Sequence, residues 1–261
     1  MEKIISIRKL CYGSILDSIS LDIYKNTINY ISGSNNCGKN TFIKTLCGEI
    51  DIKNSIFYQN KDISAMTSHE ISTMIGKVIT LNSKLSMSTV SQELLYRLDR
   101  LNLEKKEHKI RYNNIISTFK LKNILSQNPN ELSNYNKLKL LLSLELLKKP
   151  KILFISNVFT YTKKKDLEEL FNILKSINDL TIIISNTDLN LCLYSDYLHL
   201  FHKGKLILSG NTFEVLKKDS IINKLGLDLP FMVDLSLKLE YYDLVDDIEL
   251  DMNRMVNKLW K

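Results

Sequence analysis

The sequence predicts an α/β fold built round a phosphate-binding loop, and three features predict it. "GSNNCGKNTFIKTL" (Gly33 to Leu46) carries the Gly33-x4-Gly38-Lys39 spacing of a loop that surrounds phosphate with backbone N–H groups. A buried-strand pattern, "TINYISG", runs into that loop and helical spacing leaves it, which is the context the motif needs. Further on, "KILFIS", "KDLEELFNILKSI" and "LTIIIS" alternate strand, helix and strand, a unit that builds parallel sheet with helices packed on it.

Taken in order, the first thirty residues alternate in the two-residue rhythm of half-buried strands, "IISIRKL" and then "ILDSISLDI". After the loop, Phe42, Leu46 and Ile50 share one helical face, and Gly48 disturbs its end. "SIFYQN" and "GKVITL" read as strands, and residues 90–127 as a charged helical region. "LSNYNKLKLLLSLELLKK" (Leu132 to Lys149) opens on a serine able to cap a helix and continues with an apolar face. Two more strands, "YLHLFHKG" and "KLILSG", precede a helix, "TFEVLKK". The organisation expected is a nucleotide-binding domain over 1–220, with a helical subdomain at about 85–148, and a small helical appendage over 221–261.

The 261 residues, 44% hydrophobic and 25% charged, suit one large domain with at most a small addition. Eight Gly and three Pro exclude long flexible linkers. The net charge of +7 would attract anionic surfaces, but no stretch interleaves Lys or Arg with stacking aromatics, so a nucleic-acid partner is not expected. Cys11, Cys37, Cys47 and Cys192 form no C-x-x-C pair and read as reduced thiols of a cytosolic protein. The longest apolar stretches, such as "LKLLLSLELL", are too short and too interrupted to cross a bilayer.

In such a loop a lysine reaches the outer phosphates and a helix N-terminus adds positive potential. Gly33, Gly38 and Lys39 supply these parts, with Ser34, Asn35 and Asn36 forming the turn. Asn40 stands where a Ser or Thr hydroxyl holds Mg²⁺, and Thr41 follows with a hydroxyl of its own. The bland alternative is a tight strand-to-helix turn whose Lys39 points to solvent.

On these residues the whole chain resembles the ATP-binding subunits of ABC transporters, and its end resembles the ATPases of energy-coupling factor (ECF) transporters. Tyr12 matches the aromatic that stacks on adenine; "IGKVITLN" (Ile75 to Asn82) matches the Q-loop; "ELSNYNKLKL" matches the signature segment. "PKILFISNVF" falls at the Walker B strand and "TIIISNTD" at the switch-histidine strand. "NKLGLDLPFMVDLSLKL" (Asn223 to Leu239) and "IELDMNRMVNKLW" carry the ECF likeness. The resemblance implies a P-loop ABC ATPase fold with an N-terminal antiparallel β subdomain. It implies ATP or ADP as ligand, a second ATPase as heterodimer partner, and transmembrane scaffold and substrate-capture subunits. The location implied is peripheral, on the cytoplasmic face of the cell membrane, in an importer of vitamins or metal ions.

Against that pattern the catalytic positions are degenerate. The Walker B Asp and Glu fall on Ser156 and Asn157, the Q-loop Gln on Thr80, the switch His on Thr187 and the D-loop Asp on Lys163. In the signature, Leu132 and Ser133 are kept, while Asn134, Tyr135 and Asn136 replace two glycines and a glutamine. No catalytic residue and no Mg²⁺ ligand is intact, so the expectation is a subunit that binds nucleotide through Tyr12 and residues 33–41 without hydrolysing it. The alternatives are a competent ATPase with displaced catalytic groups and a nucleotide-free scaffold.

Overall fold

A computed structural model describes residues 2–159 and 162–260. In chain order it contains β1 (Lys3–Tyr12), β2 (Leu16–Tyr24), β3 (Ile28–Gly33), α1 (Lys39–Leu46), β4 (Ile56–Tyr58) and β5 (Lys61–Asp62). There follow α2 (Ser68–Met74), β6 (Ile75–Val78), α3 (Val90–Asp99), α4 (Lys105–Thr118), α5 (Asn134–Leu146), β7 (Ile152–Ser156) and α6 (Lys164–Lys175). The chain closes with β8 (Thr181–Ser185), β9 (Tyr197–His202), β10 (Lys205–Asn211), α7 (Thr212–Leu216), α8 (Asp219–Lys224), α9 (Phe231–Glu240) and α10 (Met252–Leu259). These form two compact units, residues 1–64 with 184–261, and residues 65–183.

In the first unit β1 and β2 pair antiparallel, because their alternating apolar residues bury one face; Leu16, Ile19, Leu21 and Ile23 all point inward on β2. The register slips between Ile7 and Leu10, where Lys9 takes a φ of 44°. The antiparallel sheet has the order β2-β1-β4-β5. β3 is buried along its whole length, as expected of a strand covered on both faces, and pairs parallel with β9, which pairs antiparallel with β10. Phe42 of α1 packs on Phe201 of β9 with ring centroids 4.9 Å apart. The helix stops at Leu46, so Ile50 lies outside it and does not extend its apolar face as the sequence pattern suggested.

In the second unit β6 and β7 pair parallel, Val78 beside Ile155. Ser133 caps α5 as its sequence position predicts, its hydroxyl accepting from Asn136 N–H at 3.4 Å. The "GKVITL" strand is shorter than read, ending at Val78.

β3 and β9 share a buried polar link. Asn29 Oδ1 can only accept, so His199 Nε2–H donates to it (3.1 Å), and Nδ1 of the neutral ring accepts from Ser209 (2.9 Å). Burial pushes the His199 pKa down to about 4. As pH falls from 6.5, the unfolded chain therefore takes up this proton before the folded one. The contribution is complete above pH 6.5 and is lost as pH falls toward 4, by on the order of 3 kcal/mol at about 1.4 kcal/mol per pKa unit. Urea unfolding at steps from pH 7 to pH 4 checks this: His199→Gln flattens the decline within that window, and an unchanged slope would rule the account out.

Candidate functional site

The loop between β3 and α1 takes its shape from close backbone approaches. Gly33 has a φ of 151°, and a Cβ there would lie 2.2 Å from the carbonyl oxygen of Phe201. The turn between β9 and β10 closes on the other side: Gly204 N–H donates to Cys37 O (3.0 Å), and Asp17 N–H donates to Gly204 O (2.9 Å). A Cβ on Gly204 would stand 2.3 Å from Ile15 O, so this turn, the hairpin after Tyr12 and the loop are mutually seated. Asn36 holds a φ of 59°, a left-handed conformation that asparagine tolerates better than most residues.

Lys39 opens α1 and is buried. Its Nζ donates to Gly33 O (2.5 Å) and Ser34 O (2.9 Å) and lies 3.4 Å from Cys37 Sγ. The ammonium therefore points into the loop and not to solvent, which removes the bland reading of this motif. Gly38 provides no side-chain cap, and the first helical bond of α1 runs from Phe42 N–H to Gly38 O. The N–H groups ahead of it have no intrahelical partner and, with the helix dipole, favour an anion. A loop of this shape fits the phosphates of a nucleotide.

Around it, Asn35, Asn36 and Asn40 are exposed, and Ser34 and Thr41 are half-buried. Tyr12, at the end of β1, is 39% exposed, so its ring is open to a flat ligand. Thr187 lies beside the strand that enters the loop: Ser32 Oγ donates to its carbonyl (3.4 Å), and Asn186 N–H donates to Ile31 O (3.2 Å). Its side chain is exposed.

The remaining residues belong to the second unit. Thr80 and Asn157 each come two residues after the last paired residues of β6 and β7, Val78 and Ile155, so they leave the sheet at the same end. Ser156 is buried at the end of β7, and Asn157 is exposed with a φ of 53°. Leu132 is buried ahead of α5, and Lys163 is the N-cap of α6 without a capping side-chain bond. Neither Asn40 in the first unit nor Ser156 and Asn157 in the second carries a negative charge, and none of them suits Mg²⁺, which favours carboxylate oxygens. Among the described residues no three His, Cys, Asp or Glu side chains gather to hold a metal ion.

Two contributors escaped the sequence reading. Gly204 was signalled only by its place between two strands in "HKGK". Glu169, which meets Tyr135 of the signature segment, gave no signal, because its partner is 34 residues away.

The sequence profile described as ABC transporter matches residues 16–158, more than half of the chain. The chain belongs to the ABC transporter family. It is 26% identical to the energy-coupling factor transporter ATP-binding protein EcfA of Pediococcus pentosaceus, over all of this chain and 97% of that one. It is 27% identical to a putative ABC transporter ATP-binding protein of Pyrococcus horikoshii, over 94% of this chain and 90% of that one. Among solved structures it resembles CbiO1 of Clostridium perfringens, part of the ABC transporter complex cbiONQ, with a TM-score of 0.78 and 23% identity over 90% of this chain and 99% of that one. An ATP-binding cassette in its ADP conformation gives 0.76 at 20% identity, over 87% of this chain and 99% of that one. The fold is that of the ABC ATPases, and membership of the family implies that this ABC chain binds ATP or ADP. Among the described residues no helix is long and apolar enough to cross a membrane.

The seating of the loop predicts a contrast between two glycines. Gly33→Ala places a methyl group against backbone, whereas Gly13→Ala, also at positive φ, meets nothing within 4 Å. Thermal unfolding should show Gly13→Ala losing about 1 kcal/mol and Gly33→Ala at least about 3 kcal/mol, at roughly 2–4 °C per kcal/mol for a chain of this size. Equal midpoints for the two variants would refute the seating.

Proposed function

We propose that this chain is a nucleotide-holding, non-hydrolysing ATP-binding subunit of an ECF-type ABC importer. The observation that carries the reading is the pairing of a formed phosphate loop, with Lys39 aimed into it, and uncharged residues at both Walker B positions, Ser156 and Asn157. When bound, the nucleotide supplies the phosphates that Lys39 and the front of α1 receive. The chain's own contributions are the loop N–H groups, the Lys39 ammonium, the Tyr12 ring and the Thr41 hydroxyl. No side chain at position 156 or 157 accepts a proton from an attacking water. Losing a positioned base alone costs about 10²–10⁴ in rate, so turnover at this site falls to background.

The partners in this reading are a second, intact ATPase in a heterodimer, a transmembrane scaffold and a separate substrate-capture subunit, with the chain peripheral on the cytoplasmic face of the membrane. The likeness to EcfA along the full length, including residues 221–261, supports it. We take 1–220 as the nucleotide-binding domain, 85–148 as its helical signature region and 221–261 as the appendage. A nucleotide-free scaffold is the second reading, and the appendage favours it: Phe231, Tyr241, Tyr242 and Trp260 are all more than half exposed.

Binding of a fluorescent ATP analogue to the purified chain separates the readings. Lys39→Ala should weaken binding at least tenfold, the worth of about 1.4 kcal/mol of charge-assisted contact, and Mg²⁺ should change the wild-type affinity little. Adding Asn40→Ser, Ser156→Asp and Asn157→Glu together should create a Mg²⁺ dependence. No saturable binding would leave the scaffold reading; Mg²⁺-dependent turnover by the unaltered chain would overturn both.

A further inference from the structure

The signature segment Leu132-Ser133-Asn134-Tyr135-Asn136 carries a large ring where the family resemblance calls for a glycine, and the profile match runs through it. Tyr135 is the second residue of α5. Helical side chains lean toward the N-terminus, so an unrestrained ring at this place sweeps forward across the first turn, where a phosphate would approach. The structure holds it elsewhere. The Tyr135 hydroxyl donates to Glu169 Oε2 on α6 at 3.2 Å. Lys120 Nζ meets the other oxygen of that carboxylate, Oε1, at 2.5 Å. Lys139, one turn further along α5, places its Nζ 4.8 Å from the Tyr135 ring centroid.

The charges suit this arrangement. The hydrogen bond from Lys120 lowers the Glu169 pKa and keeps the acceptor ionised. Burial, and then the Glu169 charge, push the Tyr135 phenol well above its ordinary range, so it remains a donor at any working pH. Ser133 stays at the N-cap with a single long bond to Asn136 N–H, and Asn134 is exposed.

We propose that Tyr135, Lys139 and Glu169 form a latch that carries the ring sideways onto α6 and leaves the front of α5 clear, so that this chain's signature still serves the nucleotide held by the second ATPase. Tyr135 and Glu169 are then positioning residues. This inference rests on the heterodimer reading. It makes the two composite sites unequal in a definite sense: the one built on this chain's loop holds nucleotide, and the one that borrows its signature turns over.

The test is steady-state MgATP hydrolysis by the transporter complex purified from its own cells through a tag on this chain. Glu169→Ala frees the ring and should raise the KM for ATP about tenfold with a smaller change in kcat, while Glu169→Gln, which keeps an acceptor, should stay near wild type. Tyr135→Gly in the Glu169→Ala background should restore the KM, a rescue that a purely structural role for Glu169 does not give. An unchanged KM in Glu169→Ala, or no rescue in the double variant, overturns the proposal. A complex that brings down no second ATPase overturns it through the heterodimer reading instead. The isolated chain tells the two failures apart: the absorbance difference between wild type and Tyr135→Phe should move to lower pH in the Glu169→Ala background only if the latch exists.

Discussion

The backbone of the turn after β9 pressing against the phosphate loop is the constraint on which the first unit depends. Gly33 pairs with Phe201 in the parallel β3–β9 register, and neither Gly33 nor Gly204 has room for a Cβ. The loop is thereby fixed by main-chain contacts from three directions: the strand that enters it, the turn that closes on Cys37 and the hairpin around Ile15. None of these contacts involves an acidic side chain. A loop held in this way keeps its shape whatever side chains stand around it, because its form is a packing property.

That separation explains how the fold stands with no acidic side chain at Ser156 or Asn157. Ser156 and Asn157 come at the end of β7, after four fully buried apolar residues, Ile152, Leu153, Phe154 and Ile155. Those residues supply the burial that stabilises the strand, at about 25 cal/mol per Å² of apolar surface. Replacing a terminal carboxylate by a hydroxyl or an amide leaves this contribution untouched. The same holds for Asn40, which is exposed and faces away from the Phe42–Phe201 contact that seats α1. Binding and turnover thus draw on different physical resources in this fold, and the second can fail alone.

Most of this was legible in the sequence because it is carried by local pattern. The buried run "INYISG", the glycines of the loop and the serine before "NYNKLKLLL" each announce an element through spacing that elementary sterics and capping impose. The strand ends were read less well: "GKVITL" extends past Val78 on hydrophobicity alone, and the helix after the loop was drawn out to Ile50 because its apolar residues keep a helical spacing past the true C-cap at Cys47. What sequence reading missed was long-range. Nothing local to Tyr135 tells that its hydroxyl reaches a carboxylate on another helix. Nothing local to Lys39 tells that a thiol two residues earlier would stand beside its ammonium. Such contacts depend on which elements the topology packs together, and one sequence does not encode that in any short window.

The partners of Lys39 decide whether the loss of acidic residues leaves a penalty behind. A buried ammonium whose carboxylate is removed becomes an uncompensated charge, at a cost of several kcal/mol. Here the compensation comes from Gly33 O and Ser34 O, which belong to the loop itself and were never at risk from substitution of side chains. The cation is therefore stable without any acid, and it remains oriented toward the place where phosphate oxygens would replace those carbonyls. A loop whose charge is balanced by its own backbone keeps a cation aimed at the phosphate position without help from an acidic side chain, and that is the arrangement at Lys39.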